Sequence, residues 1–131
     1  MSERPQRDRL VRIFICDDVA ELRTLIRLAL EVDRRLKVVG DAGDGRTAVQ
    51  TICEIKPDIV VLDLSLPGLD GLEAIPLIHA CSPLAKILVF SGFAEERMAA
   101  RVLALDAAGY VQKGQPLSEL RQTLLELAEL A

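Results

Sequence analysis

Five short apolar runs alternate with five segments of helical periodicity along this chain, and that alternation restricts the fold more than any other feature. The runs are VRIFIC (11–16), LKVVGDA (36–42), DIVVLDL (58–64), KILVFS (86–91) and GYVQK (109–113). Strands this short, separated by helices, form a parallel sheet, because a parallel crossover needs a helix and right-handed crossovers cover both faces. The expected fold is α/β: a flavodoxin-like, doubly wound, five-stranded parallel sheet of order 2-1-3-4-5 with five helices and strand 1 near the centre.

The helical segments carry their own punctuation. AELRTLIRLALEVD (20–33) puts Leu22, Leu25, Ile26 and Ala29 on one face. Asp44 is the expected N-cap of a second helix carrying Ala48, Ile52 and Ile55, and Pro57 stops it. In the third, LEAIPLIHAC (72–81), Pro76 removes a backbone donor and is expected to delay or bend the helix start. AEERMAARVLAL (94–105) and LSELRQTLLELAEL (117–130) complete the set, with Glu95 and Glu96 favouring the N-terminus of the fourth helix through its dipole.

Composition narrows the functional classes. A chain of 131 residues, half of them apolar, can bury one core, and MSERPQRDR (1–9) reads as a disordered tail before a single domain over 10–131. The formal net charge of -4 and the lack of a basic stripe argue against direct nucleic-acid binding. No apolar run is long enough to span a membrane, and the N-terminus has no apolar leader segment, so a cytoplasmic location is expected. Cys16, Cys53 and Cys81 are odd in number and widely spaced; they read as small buried hydrophobes in a reducing compartment rather than a disulfide or a metal site.

In open α/β sheets ligands bind beyond the carboxyl ends of the strands, at the switch point of the winding. Those ends carry Asp17 and Asp18, Asp63, Ser91 and Lys113. Carboxylates brought within roughly 4 Å of one another repel by a few kcal/mol per pair, so a positive charge must offset them. Mg²⁺ prefers oxygen donors and suits an Asp-Asp pair facing a third Asp. Three separate loop-capping aspartates would explain each residue singly but not their convergence.

Together, CDD (16–18), VVLDLSLPGLDG (60–71), VFSG (89–92) and GYVQK resemble the CheY-like receiver domains of two-component response regulators over nearly the whole chain. The segment KGQPLSEL (113–120) looks like the NarL/LuxR-type branch, whose full-length members carry a C-terminal helix-turn-helix. The resemblance implies that Asp63 is the phosphoacceptor for a sensor histidine kinase. It also implies that Asp17, Asp18, Asp63 and the backbone carbonyl of Ser65 hold Mg²⁺, and that Lys113 and Ser91 meet the phosphoryl oxygens. Tyr110, three residues before Lys113, would be the switch aromatic of a helix 4, strand 5, helix 5 surface; without that position it would read as a half-buried core aromatic. Such a domain catalyses its own phosphorylation and dephosphorylation rather than acting as an enzyme on a separate substrate. Its output, transcriptional in that branch, would pass to a partner or to a DNA-binding domain outside these residues.

Two positions depart from this pattern, and three rival readings compete with it. Gly114 follows Lys113 where many receivers have proline, and Asp106-Ala107 stands where that branch has Gly-Ala after helix 4. Ser65 and Phe93 are expected to flank the path of attacking water. GDGRTA (43–48) has the form of a dinucleotide fingerprint with Asp63 about twenty residues later, but Asp41 and Asp44 would repel a pyrophosphate, and a turn with an Asp cap explains it. A haloacid dehalogenase-type phosphatase needs a second acid where Ser65 stands. A phosphorylation-independent adaptor of the same fold is the remaining alternative. His79 reads as a surface residue. Leu117, Leu120, Leu124 and Leu127 suit the core, whereas Leu28, Leu125 and Leu130 fall off the main stripes. These either broaden the buried face or form a homodimer contact through helices 1 and 5; the helix 4, strand 5, helix 5 surface is the other homodimer candidate.

Overall fold

A computed structural model describes residues 10–92 and 95–129 of the chain. The strands are β1 (Val11–Cys16), β2 (Leu36–Ala42), β3 (Ile59–Leu62), β4 (Lys86–Ser91) and β5 (Gly109–Gln112), and the helices α1 (Ala20–Glu31), α2 (Gly45–Ile55), α3 (Gly71–Cys81), α4 (Glu95–Ala104) and α5 (Leu117–Leu127). All strands pair in parallel, in the order β2-β1-β3-β4-β5. This is the doubly wound, flavodoxin-like arrangement that the alternation of elements implies. The tail expected over residues 1–9, Phe93, Leu130 and the Glu95 and Glu96 side chains lie outside the described residues.

The pleat divides each strand between two cores. Ile13, Ile15, Ile59, Val61, Leu88 and Phe90 pack with Ile26 and Leu30 of α1 and Leu120, Leu124 and Leu125 of α5. Phe14, Cys16, Val60, Leu62, Ile87 and Val89 face the opposite way, against Ala48 and Ile52 of α2, Ala74, Ile75 and Ile78 of α3, and Val102 of α4. Buried on both faces, the central strands read as continuous apolar runs. Each fully buried Ile or Leu side chain is worth about 1.5–3 kcal/mol. The fold therefore stands on these two cores, which leaves the strand tips free to carry charge.

Three expectations need correction. Cys53 and Cys81 are joined as a disulfide, because α2 and α3 lie side by side on one face of the sheet and bring the two Cα atoms to 5.3 Å; only Cys16 is a free, buried cysteine. Pro76 does not delay α3, which begins at Gly71 behind an Asp70 cap: Asp70 accepts from the Glu73 amide at 2.9 Å, and Glu73 reaches back to the Asp70 amide. Leu25 is 54% exposed, because the buried line of α1 runs through Ile26 and Leu30 and a helix turns Leu25 away from it. Of the leucines off the main stripes, Leu125 broadens the buried face of α5 against the α1 side of the sheet, whereas Leu28 is exposed.

The two backbone departures have local explanations. Asp106 takes a left-handed conformation (φ 69°) after α4, as the cap there requires, and the Ala107 amide returns to the Val102 carbonyl. The Lys113–Gly114 peptide is trans, and Gly114 has φ 111°, a conformation closed to proline, whose ring fixes φ near -65°.

Candidate functional site

The register of the sheet brings the predicted residues to one rim. Cys16 pairs with Leu62, so Asp17 and Asp63 leave adjacent strands at the same level. The Asp63 amide donates to the Cys16 carbonyl at 3.0 Å, fixing that alignment. Ser91 ends β4, and the Lys113 amide donates to the Ser91 carbonyl at 2.7 Å, which brings the end of β5 alongside. This is the switch point of the winding, where β1 connects outward to β2 on one side and β3 leads on to β4 and β5 on the other.

Asp63 is almost fully buried, at 3% exposure, and both of its carboxylate oxygens are engaged. Its Oδ1 accepts from the Ser65 amide at 3.0 Å and from Ser91 Oγ at 3.4 Å, and its Oδ2 accepts from Lys113 Nζ at 3.0 Å. Asp17, also buried, accepts from Lys113 Nζ at 2.7 Å through Oδ2 and from the Val19 amide at 2.9 Å through Oδ1. Asp18 is exposed, yet Asp17, Asp18 and Asp63 each offer a carboxylate oxygen within 4.8 Å of the others. Three hard oxygen donors that close fit a divalent cation such as Mg²⁺.

Lys113 is the positive charge that the acid cluster demands. Burial, the largest influence, opposes its charge, but the hydrogen bonds to Asp17 and Asp63 and their negative charges outweigh it and raise its pKa above the usual lysine value. Its ammonium also lies 5.8 Å from the centroid of the Phe90 ring, within cation–π range. The Cys16 thiol, by contrast, is held firmly protonated by its burial and then by the charges of Asp17, Asp41 and Asp63, which removes it from the chemistry of the site.

Tyr110 sits opposite Val89 in the sheet, partly buried against the core on the α2, α3 and α4 side. Ser65 touches the site through its amide. Asp44 caps α2 by accepting from the Thr47 amide at 2.8 Å, so GDGRTA is a turn and cap. His79 Nε2 lies 3.0 Å from the Asp106 carbonyl and joins α3 to the end of α4.

Two supporting features escaped the sequence reading. Arg23 donates to the Asp17 carbonyl at 2.6 Å and to Asp41 at 3.0 Å, tying the loop after β1 to α1; nothing in the sequence separates it from other surface arginines. The packing of α3 on the end of β3 depends on Gly71, where a Cβ would lie 2.6 Å from Leu64 Cα and 2.8 Å from the Asp63 carbonyl oxygen. The D-x-x-E capping pattern just before it was readable and marks where that helix starts.

Comparison with known proteins agrees with this geometry. The chain is 34% identical over 126 residues to a protein-glutamate methylesterase/protein-glutamine glutaminase of Thermotoga maritima, covering 93% of this chain and 36% of that protein. It is 32% identical over 118 residues to the response regulator GacA of Pseudomonas aeruginosa, covering 90% of this chain and 55% of GacA. The chain thus spans between about a third and about half of these relatives. The receiver domain of NarL from Mycobacterium tuberculosis superposes with a TM-score of 0.86 at 28% identity, over 92% of this chain and 98% of that one. The response regulator receiver domain family matches residues 13–125, from the first buried residue of β1 to the last buried leucine of α5. With the acids, hydroxyl and lysine at the matching strand ends, the chain belongs to the response regulator receiver domains, and its structural neighbours include those of the NarL/LuxR type.

Proposed function

We propose that Asp63 accepts a phosphoryl group from the phosphohistidine of a sensor histidine kinase, and that the resulting acyl phosphate shifts the surface made by α4, β5 and α5. The observation that carries this reading is the convergence of Asp17, Asp18, Asp63, Ser91 and Lys113 at the carboxyl ends of four strands. In the transfer, an Asp63 carboxylate oxygen bonds to phosphorus as the phosphorus–nitrogen bond breaks and its electron pair passes to the imidazole nitrogen. The Ser65 amide keeps the carboxylate aligned for attack. Lys113 supplies a fixed point charge to the incoming oxygens, and the Ser91 hydroxyl, weakly held by Asp63 at 3.4 Å, is available to turn toward them. Mg²⁺ held by Asp17, Asp18, Asp63 and the Ser65 carbonyl would neutralise the phosphoryl charge.

The signal then runs outward. Movement of Ser91 changes the space behind β4, and Tyr110 on the neighbouring strand adjusts its rotamer, which biases the α4–β5–α5 surface between two populations. That surface, or the α1–α5 side, serves self-association and an output partner or DNA-binding domain. On α1 and its C-cap, Leu25, Leu28 and Val32 are 54%, 62% and 70% exposed at a spacing that puts them on one side of the helix, which supports the second surface. No helix among the described residues is long and apolar enough to cross a membrane.

The test is treatment with acetyl phosphate and with a phosphohistidine kinase, with and without Mg²⁺, read by intact mass. Wild type should gain one phosphoryl group only with Mg²⁺, and Asp63→Asn should gain none. No incorporation under any condition would leave the chain a phosphorylation-independent adaptor and overturn the proposal.

A further inference from the structure

The Cys53–Cys81 pair has no part in the acceptor chemistry, yet its position has consequences. The bond links α2 to the last residue of α3, and the covalent ring it closes contains β3, Asp63, the loop after Asp63 and all of α3. One helical turn before each cysteine stand Val49 and Leu77, which with Arg46, Gln50 and Leu69 line a shallow groove between the two helices. The bond therefore fixes the spacing of α2 and α3 at one end of that groove. From the other end, the Gly45 amide donates to the Pro67 carbonyl at 3.1 Å, tying the start of α2 to the loop that follows Asp63.

We propose that Cys53 and Cys81 form a reversible dithiol–disulfide site, whose oxidation locks α2 to α3 and restrains the segment that carries Asp63. Three observations favour reversibility over a fixed staple. Both cysteines are half-buried rather than enclosed in the core. The core does not depend on the bond, because Ala48, Ile52, Ala74, Ile75 and Ile78 already hold both helices against the sheet. Lys56, the C-cap of α2, donates through its ammonium to the Cys81 carbonyl at 2.7 Å, a contact between the two helix ends that does not involve the sulfurs.

The oxidant is a low-molecular-weight disulfide such as oxidised glutathione. One cysteine thiolate attacks a sulfur of that disulfide, expels one thiolate and forms a mixed disulfide; the other cysteine thiolate then attacks the protein sulfur and expels the second thiolate. Two electrons leave the protein, two protons pass to the expelled thiolates, and one disulfide is consumed. The site stands independently of whether Asp63 is phosphorylated.

The test equilibrates the full chain in a series of reduced and oxidised glutathione mixtures, traps free thiols with N-ethylmaleimide under native conditions and reads intact mass. Buried Cys16 should stay unlabelled, so the expected species carry two labels or none, and their ratio should follow the buffer in both directions. Hydrogen exchange should show the amides of the loop after Asp63 and of α3 exchanging several-fold more slowly in the oxidised form. A pair that stays oxidised in every mixture, a pair that never oxidises, or identical exchange in both forms would each overturn the proposal.

Discussion

Replacing Lys113 with Met keeps the aliphatic stem but deletes the charge that separates two buried carboxylates. Lys113 Nζ lies 2.7 Å from Asp17 and 3.0 Å from Asp63. At an effective dielectric near 20 these contacts are worth about 6 and about 5.5 kcal/mol of attraction, while the two acids, 4.8 Å apart or less, repel by at least about 3.5 kcal/mol. Desolvation offsets much of the attraction, and the Lys113 side chain is 25% exposed, so the cost of about 3–5 kcal/mol for orphaning a buried charge should fall to about 2–4 kcal/mol. Guanidinium unfolding in EDTA reads that loss. Three carboxylates without their ammonium should also hold Mg²⁺ more tightly, by roughly tenfold or about 1.4 kcal/mol, so Mg²⁺ should stabilise Lys113→Met more than wild type. Equal stability of the two proteins in EDTA, or equal stabilisation by Mg²⁺, would refute the view that Lys113 is the counter-charge of the acid cluster.

Four further expectations follow from particular contacts. Gly71→Ala forces a methyl into Leu64 and the Asp63 carbonyl and should lower stability by about 1–3 kcal/mol in chemical denaturation. Asp106→Gly relieves the left-handed strain at φ 69°, and after the larger entropy of the unfolded glycine a gain of about 0.5 kcal/mol should remain, again read as a shifted denaturation midpoint. The Asp33 carboxyl, hydrogen-bonded by Arg35, titrates at about 2; its contribution is present above the ordinary Asp value and lost only as pH falls through about 2, so carboxyl NMR should show that midpoint and Arg35→Gln should return it toward 3.8. The ring closed across 28 residues removes unfolded-state entropy worth about 3.5 kcal/mol, so Cys53→Ser should melt roughly 10 °C below the oxidised wild type by calorimetry.

How much of this was legible depended on whether the signal was local. The five strands and their order followed from apolar runs too short for helices, alternating with segments too periodic to be strands, and the handedness of parallel crossovers did the rest. The site was legible for the same reason. Asp17, Asp63, Ser91 and Lys113 each end an apolar run, so placing the runs in a sheet also places the acids and the lysine. Where a boundary depended on side-chain contacts, the reading slipped. Pro76 drew attention as a helix breaker, although Asp70 and Glu73 had already set the start of α3 one turn earlier, and a proline inside an established helix costs one donor without moving its beginning. On α1 and α5 periodicity gave the stripe but not its width, which is why Leu25 lies outside the buried line and Leu125 inside it.

The disulfide shows why parity and spacing mislead when tertiary neighbours decide. An odd number of cysteines excludes a fully paired set but leaves any single pair open, and a separation of 28 residues is about the length of one strand, one helix and their two loops. That is one βα unit, and from α2 to α3 it keeps the chain on the same face of the sheet. Because α2 and α3 follow one another on the same face, residues one unit apart at matching depths of these two helices are neighbours, as Cys53 of α2 and Cys81 of α3 are at 5.3 Å between Cα atoms. The same periodicity that brings Asp17 and Asp63 to adjacent strand tips also brings the two sulfurs together. In a doubly wound sheet, cysteines spaced by one βα unit on same-face helices should be weighed as a pair before composition is used to dismiss them.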